Sequence, residues 1–147
     1  MAESPSETVP SRDCRPNSHC FVCGLNNAIG LHLSFQLEEN VCRTQFVPDD
    51  RHQGYDGWLH GGILGAVLDD VMANWFYLRG MKAVTGKMEV RYRAPVPIGV
   101  NLEAESWVVE RRGRIARLQC KAVKDSGEVV AEATGTYLLV EEQAPGG

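Results

Sequence analysis

Residues 58–80 read WLHGGILGAVLDDVMANWFYLRG, and the architecture of the chain turns on them. Apolar side chains (Ile63, Leu64, Val67, Leu68, Val71, Met72, Trp75 and Phe76 among them) cover nearly the whole circumference of a 3.6-residue helix. The pattern predicts one helix from about Gly61 to Leu78, buried on most sides. Arg79 gives the last turn a cation and Gly80 a stop. The only charges inside it are Asp69 and Asp70, residues that are poor helix formers and costly to bury without partners.

Outward from this segment the periodicity changes to two. Leu31, Leu33, Phe35 and Leu37 alternate with polar residues, Glu38-Glu39-Asn40 reads as a turn, and Val41 to Val47 returns as a second strand. Pro48 to Trp58 is a polar, glycine-containing loop of the length that usually carries function. Beyond the helix, Met88, Val90 and Tyr92 alternate with Lys87, Glu89, Arg91 and Arg93 until Pro95. Three more strands follow: Leu102 to Val108, Ala116 to Ala122, and Val129 to Leu139. Arg111-Arg112-Gly113 and Asp125-Ser126-Gly127 are the turns between them.

One helix cannot cover both faces of a sheet, yet this helix is apolar almost all round. The economical solution is an α+β hotdog architecture, a curved antiparallel sheet wrapped around one long central helix. Small inward residues, Ala116, Ala122, Ala131, Ala133 and Gly135, let the helix sit close.

The 147 residues suffice for one domain, expected over 19–140, with a disordered tail over 1–18 and a flexible one over 141–147. A net charge of −4 argues against nucleic acid as a partner. No apolar run reaches the roughly 20 residues that a bilayer requires, so no membrane partner is expected. The N-terminal MAESPSETVPSRD has no apolar secretory core, and an odd number of cysteines, five, does not describe a secreted disulfide framework. The expectation is a cytoplasmic protein.

Two features of the helix carry chemistry. It opens on His60-Gly61-Gly62, where backbone N–H groups of the first turn are unpaired and a partial positive charge gathers. Glycines there let a carbonyl approach those donors, as an oxyanion would require. The plainer alternative is that they only shape a tight turn. The second feature is the aspartate pair. Asp69 shares a face with small residues, Gly65, Ala66 and Ala73, with room for a ligand, whereas Asp70 falls beside Val67 and Val71. Asp69 is therefore the base candidate.

From Gly62 to Asp69 is seven residues, about 10 Å along a helix axis. One copy of the helix cannot bring both ends to a single carbonyl. Two copies side by side and antiparallel can, which predicts a homodimer with two composite sites by symmetry.

The segment Trp58 to Asp69, with His-Gly-Gly and an acid nine positions after the histidine, resembles the hotdog-fold acyl-CoA thioesterases, in particular their phenylacetate-pathway (PaaI-like) branch. Gly30-Leu31 and Glu89 to Pro97 support the likeness, which runs from about Cys20 to Val140. The resemblance implies an acyl-CoA thioesterase acting on an acyl-CoA or similar thioester. It implies no separate cofactor, coenzyme A being part of the substrate. It implies Asp69 as general base or nucleophile, Gly61 N–H as oxyanion donor, His60 as the residue shaping that loop, and Thr85 as positioning the attacking water. Many relatives carry an asparagine six residues before the histidine; here the position is Gly54, beside Gln53, with His52 and Asp56 as further substitutes. Substrate-binding candidates are Gly62, Gln53, Gly54, Trp58 and Met72, with Arg91, Arg111 and Arg112 for the coenzyme A phosphates. Trp75 and Phe76 are read as core. Pairing of dimers into tetramers is left open.

A non-catalytic acyl-CoA-binding hotdog protein is the alternative, motivated by Gly54. A hydratase built on His60 and Asp69 and a protein-interaction module on the N-terminal cysteines rank below it. Those cysteines form Cys20-Phe21-Val22-Cys23-Gly24, with Cys14, His19 and His32 nearby. Thiols without a metal come first, a zinc site of Cys14, Cys20, Cys23 and His19 or His32 second, and redox chemistry last. Cys42 and Cys120 read as small buried hydrophobes.

Overall fold

The computed structural model describes residues 18–140. The tails expected over 1–18 and 141–147 lie outside the described residues, apart from Ser18. Six strands and one helix follow in the order β1 (Phe35–Glu38), β2 (Val41–Phe46), α1 (Gly61–Tyr77), β3 (Lys82–Tyr92), β4 (Leu102–Arg112), β5 (Ile115–Lys124) and β6 (Val129–Val140). They form one sheet, ordered β1-β2-β4-β5-β6-β3, with every neighbouring pair antiparallel.

The helix lies on the inner face of this sheet. Leu64, Val67, Leu68, Val71, Met72 and Phe76 are buried on its side, and Ala116, Leu118, Cys120, Ala122, Ala131 and Tyr137 on the side of the strands. Small residues on β5 and β6 allow the close approach. At Gly135 a Cβ would fall 2.6 Å from the Tyr137 ring and 3.1 Å from the end of Met72. Polar stitches bind helix to sheet: Ser106 Oγ donates to Val71 O at 2.6 Å, and Cys120 Sγ to Leu68 O at 3.8 Å. At the helix end Arg79 lies 3.4 Å over the Trp75 ring. The two then donate to Glu39 O and Asn40 O, clamping the β1–β2 turn.

β4 runs on through Arg112, so Arg111 and Arg112, expected in a turn, are paired strand residues opposite Ala116 and Ile115. Two strand starts also differ by several residues from the sequence expectation. The first strand begins at Phe35, not Leu31, because His32 takes φ +55° and the Leu31 and Leu33 N–H groups bond Phe21 and Val22 carbonyls instead. Conversely, β3 begins at Lys82, well before the alternation that starts at Lys87. A bulge between Thr85 and Lys87, at Gly86, explains this. One extra residue switches the parity, so Ala83 and Thr85 face the helix before it and Met88 and Val90 after it. The loop before α1 is also more ordered than its sequence suggests. A 3-10 turn over Asp50–His52 is closed by a reciprocal capping box between Asp49 and His52.

β3 ends the sheet with no strand on its outer side among the described residues, and most of its side chains are exposed. An open edge of eleven residues is a standing invitation to pair with another chain.

Candidate functional site

His60 caps α1 through its own ring. Nδ1 accepts the Gly62 N–H at 2.8 Å, so in the neutral ring the proton sits on Nε2. A Cβ at Gly62 would lie 2.9 Å from His60 Cε1, so glycine is what lets the ring fold back. Ile63 and Leu64 N–H both reach His60 O at 3.1 Å. Of the first-turn amides, only Gly61 N–H is left without a partner among the described residues. Its carbonyl is fixed from the other side, where Tyr92 OH donates at 2.7 Å.

Beside this amide lies a groove of about 800 Å³, lined by Gln53, Gly54, Tyr55, Trp58, His60 and Gly61. Tyr55 (88 % exposed) and Trp58 (43 %) offer it aromatic surface. Gly54 packs on His60, where a Cβ would lie 3.2 Å from the His60 Cα. Neither of the two residues before it is at liberty to replace a side chain there. Gln53 accepts from Gly57 N at 2.5 Å and donates to Asp50 O at 3.0 Å, while His52 is buried in its capping box.

The second half of the site is Asp69. Thr85 Oγ1 donates to its Oδ1 at 2.8 Å and Tyr137 OH donates to the same oxygen at 2.7 Å. With Oδ1 held twice, the carboxylate plane is fixed and Oδ2 is the oxygen left to act. Burial, and then the adjacent Asp69 charge, push the Tyr137 hydroxyl far above its ordinary pKa, so it stays a donor at any working pH. The Gly86 bulge is what turns Thr85 toward the helix. Asp70, one residue on and about 100° round the helix, faces the N-terminal segment instead, with Cys20 Sγ at 3.9 Å.

The helix runs antiparallel along β3, with Gly61 against Tyr92 and Asp69 against Thr85. Eight residues, about 12 Å of helix, separate the vacant amide from the carboxylate within one chain.

The other predicted residues fall in different places. Met72 is fully buried against Gly135, and Phe76 is core. Arg111 is in register with Ala116, which pairs with Tyr137, which pairs with Thr85. It thus shares a row with the carboxylate's two donors, about 10 and 14 Å away across two and three strand spacings. Arg112 pairs with Glu110 at 3.2 Å at the hairpin tip. Arg91 lies in a groove with Trp107 and Lys121, beside the Arg93–Glu132 ion pair. Cys20 and Cys23 meet Asp70, whereas His19 is not in that group and Cys14 lies outside the described residues.

Sequence reasoning does not find Tyr137 and Tyr92 as site residues. A signal for Tyr137 is nonetheless present: an inward-facing phenol needs a partner, and Asp69 is a half-buried acid in an apolar helix that needs a donor.

A family model for the thioesterase superfamily matches residues 56–131, just over half of the chain. Among curated proteins the chain is similar to the human acyl-coenzyme A thioesterase THEM5, 24 % identical over 137 residues, covering 90 % of this chain and 55 % of that one. The mouse THEM5 is 26 % identical over 110 residues, 73 % of this chain and 44 % of that one. The chain thus spans about half the length of the curated relatives it matches. Among solved structures, a thioesterase superfamily protein aligns with TM-score 0.76 at 23 % identity, over 82 % of this chain and 63 % of its own. A hypothetical thioesterase protein with coenzyme A from Streptococcus pneumoniae aligns with TM-score 0.71 at 16 % identity, over 76 % and 91 %. The Escherichia coli PaaI protein from the phenylacetic acid degradation operon aligns with TM-score 0.72 at 18 % identity, over 77 % and 83 %. These likenesses establish the hotdog fold. With the His60-Gly61-Gly62 helix start and Asp69 inside the matched segment, the chain belongs to the thioesterase superfamily.

Proposed function

We propose that the chain hydrolyses an acyl-CoA or similar thioester at a site shared by two copies of itself. The observation that carries this is the placement of α1 along an open edge strand. The carboxylate stands at one end of β3, the vacant amide at the other, about 12 Å apart. Antiparallel pairing of two β3 strands about a two-fold at Glu89, with the Gly86 bulge taking up the extra residue, would set Thr85 opposite the partner's Tyr92. That brings Asp69 of one copy to the partner's Gly61, twice by symmetry.

In such a site the partner's Gly61 N–H takes the thioester oxygen, and the aromatic groove of Tyr55 and Trp58 receives the acyl group. Asp69 Oδ2 removes a proton from water as its oxygen adds to the acyl carbon. The negative charge on the tetrahedral oxygen is held by the amide. Collapse breaks the C–S bond, and the thiolate recovers the proton from Asp69. Thr85 and Tyr137 keep the carboxylate oriented throughout. The names of the THEM5 relatives and the coenzyme A in the streptococcal structure support acyl-CoA as the substrate class.

Thiol release from a panel of aromatic and aliphatic acyl-CoAs tests this. Wild type is expected to turn over at least one class and Asp69→Asn to lose at least 10²-fold in kcat. No hydrolysis of any member by wild type, with Asp69→Asn indistinguishable from it, would refute the reading. One observation favours a second reading, a non-catalytic acyl-CoA binder. Gln53 and His52, the residues before Gly54, are engaged elsewhere, and Gly54 falls where the family resemblance implies an asparagine in many members. Saturable acyl-CoA binding without turnover is its signature.

A further inference from the structure

The second aspartate of α1 is not explained by the catalytic arrangement. We propose that Asp70, Cys20 and Cys23 bind a zinc ion that fastens the N-terminal knuckle to the flank of the helix. The sulfur atoms and a carboxylate oxygen all lie within 4.8 Å of one another, with Cys20 Sγ 3.9 Å from Asp70 Oδ1. Tetrahedral zinc, with Zn–S about 2.3 Å and Zn–O about 2.0–2.2 Å, spaces its ligand atoms about 3.5–3.8 Å apart. The three groups therefore need to close by about 1 Å or less to bind.

The backbone is built for this. Gly24 N donates to Cys20 O at 2.8 Å, and a Cβ at Gly24 would lie 2.4 Å from Cys20 N, so only glycine completes the turn. The carbonyls of Phe21 and Val22, between the cysteines, are taken by Leu31 and Leu33 N–H at 2.8 Å each. The knuckle is thereby locked to the chain entering β1 before any ion arrives. Asn74 Nδ2 donates to Asp70 Oδ2 at 3.0 Å, orienting the carboxylate as an outer partner orients a ligand.

Donor chemistry selects the ion. Two thiolates favour zinc over calcium or magnesium, which take oxygen ligands. Cys23 is fully buried and the other two are half-buried, unlike the exposed acid clusters common on surfaces. The imidazole of His32 is engaged with Asn27 O at 2.6 Å and His19 is exposed, so Asp70 takes the part that sequence spacing assigns to a histidine. The fourth position is open to water. Because Asp69 and Asp70 are adjacent, the ion would also brace the turn of α1 that carries the catalytic carboxylate.

The test uses the full chain, purified under reducing conditions without chelator. Metal analysis is expected to give about one zinc per chain. Cys20→Ser and Cys23→Ser lose it, and Asp70→Asn yields it to a competing chelator at least 10-fold more readily, while Cys120→Ala retains it. Cobalt exchange adds a readout independent of activity: thiolate-to-cobalt absorption for two Co–S bonds, reduced in Cys20→Ser and Cys23→Ser. Should the serine variants not fold, chelation of wild type itself decides the matter, with a fall in Tm restored by zinc expected. A reduced chain that holds no metal and takes up neither zinc nor cobalt overturns the proposal. So does a metal-free chain carrying a Cys20–Cys23 disulfide under the same conditions. Loss of thioesterase activity alone bears on neither result.

Discussion

Gly61→Pro isolates the amide assigned to the oxyanion. Gly61 is the first residue of α1, where proline is tolerated because its N–H has no partner within the helix. His60 before it has φ −66° and ψ 130°, the extended conformation that a residue preceding proline needs. A Cβ at position 61 meets only the Tyr92 ring, at 3.6 Å, an ordinary contact. The substitution therefore removes one donor and little else. Stability is expected to hold or rise by about 0.4–1 kcal/mol, since proline restricts the unfolded chain. Loss of an oxyanion donor costs about 2.7–4 kcal/mol of transition-state stabilisation, a fall in kcat of about 10²–10³. Gly61→Ala, which keeps the N–H and has room for its methyl, is the control. Thermal unfolding and steady-state thiol release on the best acyl-CoA read the two effects separately. A folded Gly61→Pro within about 3-fold of wild-type kcat refutes the assignment, as does an alanine variant impaired to the same degree.

Tyr137→Phe removes one of the two donors to Asp69 Oδ1; a hydrogen bond to a charged group is worth about 1.5–3 kcal/mol, and chemical denaturation should show a loss of that size together with about 10-fold lower kcat. An unchanged kcat would leave orientation to Thr85 alone. Gly135→Ala drives a methyl to 2.6 Å from the Tyr137 ring and 3.1 Å from Met72, so about 1–3 kcal/mol of destabilisation is expected; wild-type Tm would mean that the core can yield there. Burial pushes the Cys42 and Cys120 thiols from an ordinary value near 9 up to about 12. Above pH 9 the unfolded chain releases these protons and the folded chain does not. The stability they contribute is thus intact below pH 9 and lost as pH rises toward 12. A Cys42→Ala/Cys120→Ala chain should show a shallower alkaline fall in Tm; an identical slope would contradict this.

Much of the fold is legible because periodicity reports burial directly. The change from 3.6 to 2 marks one helix and the later strands, and the apolar circumference of the helix requires a sheet to wrap it. What escapes is local. The Gly86 bulge breaks alternation, so the first half of β3, including its approach to Asp69 through Thr85, does not look like a strand. The left-handed His32 ends a pattern that would otherwise continue from Leu31. In the site, Asp69, His60 and Gly61 announce themselves as polar or flexible residues in an apolar helix. Tyr137 does not, since an inward tyrosine looks like core until its hydroxyl is followed to a partner. Asp70 is the less conspicuous of the two acids because its face of the helix is bulky; its contact with Cys20 is fifty residues distant in sequence and leaves no periodic trace.

The shared site is the central claim, and complementation tests it most directly. Gly61→Pro and Asp69→Asn chains, each carrying a different tag, are co-expressed, and the mixed dimer is isolated through both tags. In a composite arrangement one of its two sites joins an intact Asp69 to an intact Gly61, while the other carries both lesions. The mixed dimer should recover about half of wild-type activity although each parent is nearly inactive. A mixed dimer no more active than its parents would mean that amide and carboxylate serve the same site from one chain, and would contradict the composite arrangement.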